Sequence, residues 1–71
     1  MNNTVLQIQT LTNLKMLVRN IEMVNTLLKN YDNLFVLQNF ELTEEQLFER
    51  NKYKKEKKRY QKQINQIIKN L

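Results

Sequence analysis

Between Arg50 and Lys62 the chain carries eight basic side chains opposed only by Glu56. They are Arg50, Lys52, Lys54, Lys55, Lys57, Lys58, Arg59 and Lys62. On a helix these residues surround most of the circumference and leave the line through Tyr53 and Tyr60 as the one quiet strip. A rod of that charge density can follow a phosphate backbone, displacing counterions and binding in a salt-dependent way. The same positions can form a solvated outer face, or meet an acidic protein surface, because charge by itself does not choose the partner. Lysine outnumbers arginine six to two in the cluster. That favours point-charge attraction over bidentate reading of guanine, so any binding of DNA or RNA is expected to be largely independent of sequence. Tyr53 and Tyr60 either stack on unpaired bases or line a helix interface, and their seven-residue spacing fits the interface. Gln61, Asn65 and Gln66 read as surface filler beside the cluster.

Other chemistry is hard to place. Glu41, Glu44, Glu45 and Glu49 gather around one point of the chain, yet no His or Cys accompanies them. Charge favoured at the start of a helix accounts for that grouping better than a divalent cation does. With no His, Cys or Ser and a single Asp, no familiar nucleophile and base can be assembled. A non-enzymatic protein is expected, without metal, cofactor or small-molecule substrate.

The elements that position these residues follow from composition. The 71 residues include no Gly, no Pro and no Cys. The two strongest helix breakers are therefore missing, as are disulfides and thiolate-bound metals, and an all-helical fold follows. The many Asn residues are mediocre helix formers, so packing must contribute more than propensity. No basic, apolar and small-residue succession marks Met1 onward as a secretory signal. Lys15, Arg19, Glu22 and Lys29 interrupt the richest apolar stretch before it could span a membrane. The expected location is cytoplasmic. Charge is split along the chain, with residues 1–49 at −3 and residues 50–71 at +8, together the +5 of the whole. Asn- and Lys-rich usage also fits an AT-rich genome such as that of a phage or plasmid.

From Leu11 to Phe40 the apolar residues recur in steps of three and four: Leu14, Leu17, Ile21, Val24, Leu28, Tyr31 and Phe35. Leu11 and Val18 widen this stripe on one side, and Leu27 and Leu34 on the other. Thr4 is the expected N-cap of a first helix over about 4–40 in a single helical domain. Asn30 to Asn33 is its weakest patch, where a continuous or bent helix is expected rather than two separate ones. Thr43-Glu44-Glu45-Gln46 reads as a capping box after a turn over about 39–43, starting a basic helix over about 43–70. Its sparse stripe runs Leu47, Phe48, Tyr53, Tyr60, Ile64, Ile67, Ile68 and Leu71.

So short a connection makes the two helices antiparallel neighbours. A turn centred near residue 42 sets Tyr53 beside Tyr31, Tyr60 beside Val24 and Ile64 beside Ile21. It also sets Lys62 level with Glu22 and Lys52 level with Asp32. The first helix then starts before its partner can reach it, and its apolar arc is wider than one slim helix covers. The expected architecture is an all-α antiparallel hairpin that dimerises into a four-helix bundle. The expected dimer surface comprises Val5, Leu6, Ile8, Leu11, Leu14, Val18, Ile21 and Leu28. Asn25 lies beside the stripe, facing solvent or pairing across a dimer to fix register. Three functions are compatible with this frame. The first is a small regulator that binds nucleic acid through the basic helix. The second is an adaptor or inhibitor gripping a larger protein, and the third is a structural assembly or scaffolding oligomer.

Overall fold

The computed structural model describes residues 2–70, and the side chains of residues 2–4 and of Leu6 lie outside the described set. Helix α1 runs Asn2–Leu37 and helix α2 runs Glu44–Lys69. They pack as one antiparallel hairpin measuring 59 × 15 × 14 Å. Helix α1 begins at Asn2, so Thr4 lies within it instead of capping it.

Helix α1 is continuous through Asn30 to Asn33, because Tyr31 and Leu34 turn inward there and tie the weak patch to α2. Thr12 and Thr26, poor helix formers, point their hydroxyls back to the carbonyls of Ile8 (2.9 Å) and Glu22 (3.0 Å).

The end of α1 stops three residues short of the expected Phe40, and the reason is local. Asn39 (φ 59°) and Phe40 (φ 63°) both adopt left-handed backbone. The Asn39 amide donates to the Val36 carbonyl at 3.3 Å, and the Phe40 amide to that of Phe35 at 2.7 Å. This pair of bonds is a Schellman ending, with Asn39 at the position where a chain rich in glycine would use Gly. The apolar contact that accompanies such endings is present too. The Phe35 and Phe40 rings meet edge to face with centroids 5.6 Å apart.

Helix α2 starts as the sequence predicts. The Gln46 amide donates to Thr43 Oγ1 (3.1 Å), and the Thr43 amide donates to Gln46 Oε1 (3.0 Å). Both orphan donors are thereby satisfied, and Glu44 and Glu45 lie in the first turn at the positive end of the dipole. Gln46 also reaches across the turn. Its amide and that of Gln38 exchange two hydrogen bonds, 2.9 and 3.1 Å, which join the two helix ends.

The seam has the expected register. Tyr31 lies against Tyr53 with ring centroids 6.1 Å apart. Only Val24 is buried among the described residues, at 5% exposure; Leu14, Leu17, Ile21, Leu28, Tyr53, Tyr60, Ile64 and Ile67 are half-buried. One helix covers one groove, and the seam follows Leu27 and Leu34 inward while leaving Leu11 and Val18 exposed. Phe35, expected on the seam, is instead exposed on its edge, and Gln38 takes the inward place one turn after Leu34. The ion pairing differs as well. Asp32 meets Arg50 at 3.6 Å instead of Lys52, because Arg50 is on the seam side of α2 and Lys52 points away. Glu22 is exposed on the outer side of α1, away from Lys62, and Asp32–Arg50 is the one ion pair among the described residues.

Candidate nucleic-acid interface

Helix α2 distributes the eight basic residues by their angle to the seam. Arg50 and Lys57, seven apart, are half-buried along its edge. Lys52, Lys54, Lys55, Lys58, Arg59 and Lys62 are exposed. Arg50 is already opposed by Asp32. Arg59 lies over the Tyr60 ring, its guanidinium carbon 5.4 Å from the centroid, which steadies the charge on the outer surface without neutralising it. The remaining five lysines have no acidic neighbour within ion-pair distance among the described residues. The result is a basic belt on a continuous 26-residue helix, where the residues stay at fixed spacing.

The tyrosines between them do other work. Tyr53 packs on Tyr31, and Tyr60 is half-buried level with Val24 with Arg59 over its ring, so neither tyrosine offers a free face for stacking. Leu47, Phe48 and Ile68, expected in the apolar stripe of this helix, are exposed instead, because α2 turns only the Tyr53–Tyr60–Ile64–Ile67 line to α1. On the outward side Phe48 stands next to Asn51, Lys52 and Lys55. It is the one aromatic ring of α2 open to a partner.

Sequence reasoning placed Glu49 in an acidic patch around the turn, and it missed what this residue does. Glu49 is half-buried and accepts a hydrogen bond from the Tyr31 hydroxyl. That bond, the partial burial of the ring and the carboxylate charge push the Tyr31 hydroxyl up to about 12 from an ordinary value of 10.0. A signal was available: in the register that pairs Tyr31 with Tyr53, Glu49 lies one turn away on the same side of α2. Glu44 and Glu45 remain at the helix start, and no three carboxylates converge among the described residues.

The residues expected to pair two copies divide into two groups. Leu14, Ile21 and Leu28 are already half-covered by α2. Val5, Ile8, Leu11 and Val18 are exposed, and the side chain of Leu6 lies outside the described set. Among the described residues no helix is long and apolar enough to cross a membrane. Compared with protein families, curated proteins and solved structures, the chain matches none.

Proposed function

We propose that this is a small, non-enzymatic, cytoplasmic regulator. It dimerises into a four-helix bundle and binds nucleic acid through α2, largely independent of sequence. One observation carries the reading: six basic side chains between Arg50 and Lys62 stand exposed along one continuous helix, and the only ion pair among the described residues uses a different one, Arg50. Phosphate contacts position a protein on a duplex, whereas lysines without an accompanying fork or groove-reading element add little base discrimination.

Fluorescence anisotropy with unrelated DNA and RNA duplexes, over a salt series, tests this. Affinity should fall steeply and linearly on logarithmic axes with salt, and similarly for all sequences. Charge reversal at Lys54, Lys55, Lys58 and Arg59 should abolish it. Absence of binding at low ionic strength would rule the function out.

A second reading rests on Phe48, exposed beside Lys52 and Lys55. An apolar anchor within a basic surface suits an adaptor or inhibitor gripping an acidic protein. In that case Phe48→Ala should abolish capture of the partner, while nucleic-acid affinity stays the same.

A further inference from the structure

The isolated hairpin exposes far more surface than its mass requires. Its accessible area is 6216 Å². A compact monomer of 8.7 kDa exposes about 4,700 Å². The radius of gyration is 16.5 Å, against about 11 Å for a compact chain of this length. The excess, about 1,500 Å², exceeds the roughly 800 Å² that each partner contributes to a standard interface.

One broad face of the hairpin contributes to that excess. Asp32, Phe35, Phe40, Leu42 and Leu47 line a common hollow beside the turn. Leu11, Val18 and Asn25 precede Asp32 at seven-residue steps, and Ile68 follows Leu47 at three such steps, so all lie on this side. Leu11 is 56% exposed and Val18 45%. From Leu11 to Leu28 the α1 edge of this face, Leu11, Leu14, Val18, Ile21, Asn25 and Leu28, is uncharged, while its α2 side is basic, with Leu28 sharing a hollow with Lys54, Lys57 and Lys58. The opposite face offers Met16 and Met23 instead, among Asn20, Glu49, Glu56 and Gln63.

Resting on the dimer proposed above, we infer its geometry: a second copy of this chain stacks on the Leu11–Val18–Phe35 face with its long axis reversed, α1 against α1. Two ways of stacking this face on itself are two-fold symmetric. With both turns at the same end, each α1 lies over the other copy's α2. Ile8 and Leu11 then project beyond both α2 helices and stay wet. Reversed, α1 runs its full length against α1, and each free N-terminal stretch meets the other copy's turn.

The residues also fix the register. Setting Leu11 opposite Phe35 of the second copy brings Val18 opposite Leu28 and Ile21 opposite Asn25. It also sets Lys15 level with Tyr31 of the second copy, one residue from Asp32, an opposite-charge neighbour met twice by symmetry. Ile8 falls near the exposed Val36 of the second copy. This arrangement lays the two α2 helices side by side and merges both basic belts into one surface. The same-end arrangement would leave them on opposite sides. Bringing the belts together raises like-charge repulsion, so the reversed dimer should tighten as salt screens it.

Because the chain has no cysteine, a spin label on Glu45→Cys reports the arrangement directly. The reversed dimer places the two labels roughly 50 Å apart at 1.5 Å rise per residue. A same-end dimer gives a short distance, below about 25 Å given helix spacings of 8–10 Å and two label arms, and that result overturns the inference. A monomer by sedimentation at micromolar concentration overturns the dimer itself, a separate failure. Val18→Asp should weaken dimerisation more than tenfold with helicity retained in circular dichroism, whereas Met23→Asp should leave it intact. The opposite ranking would place the interface on the other face.

Discussion

The Tyr31 hydroxyl donates across the hairpin to the Glu49 carboxylate, and this bond helps anchor the stretch of α1 with the poorest helix propensity. A neutral phenol beside a carboxylate is stabilised, and a phenolate there is not. The folded protein therefore holds the Tyr31 proton to about pH 12, against 10.0 when unfolded. A group whose folded value is raised contributes its stability in full below the unfolded value and loses it as pH climbs through the folded one. The stability difference between the native chain and Tyr31→Phe should be constant from pH 7 to 9 and shrink between pH 10 and 12. Urea titrations at each pH measure it. A difference that does not vary with pH would show that the hydroxyl makes no such bond.

Thr43 and Gln46 should differ in what their loss costs. Thr43→Ala removes one cap acceptor and is expected to destabilise by about 1 kcal/mol. Gln46→Ala removes the reciprocal cap bond and both bonds to Gln38, so it should lower the melting temperature further than Thr43→Ala. Calorimetry on the two variants settles the order.

Left-handed backbone at Asn39 and Phe40 makes opposite demands on substitution. Asn39→Gly should stabilise the hairpin by a few tenths of a kcal/mol, and Asn39→Val should cost about 1–2 kcal/mol. Phe40→Gly relieves φ but abandons the ring contact with Phe35. That variant should fall below the native chain in thermal stability, which measures the contact against the strain.

The lysines should not be equivalent in binding. Lys58→Gln is expected to reduce the slope of log affinity against log salt by about one. Arg50→Gln should change it less, because Asp32 already opposes that charge. Anisotropy titrations of the two variants on one duplex compare them. An equal loss from both would place Arg50 in the contact surface.

Much of the fold is legible in the residues alone. The absence of Gly and Pro, the apolar steps of three and four, and Thr43-Glu44-Glu45-Gln46 together dictate two helices, their boundary and the antiparallel register. These are local or periodic signals, and each depends on neighbours within one or two turns. What only the tertiary structure decided is how a wide arc of apolar residues is shared. One helix can cover about one groove, so Leu27 and Leu34 go inward while Leu11, Val18 and Phe35 stay out. The rotation of α2 about its own axis likewise chose Arg50 over Lys52 for Asp32, and brought Glu49 to Tyr31. Several residues lie within one turn of each ideal pairing level. Sequence spacing therefore sets the level, and only the packed geometry selects which side chain reaches across.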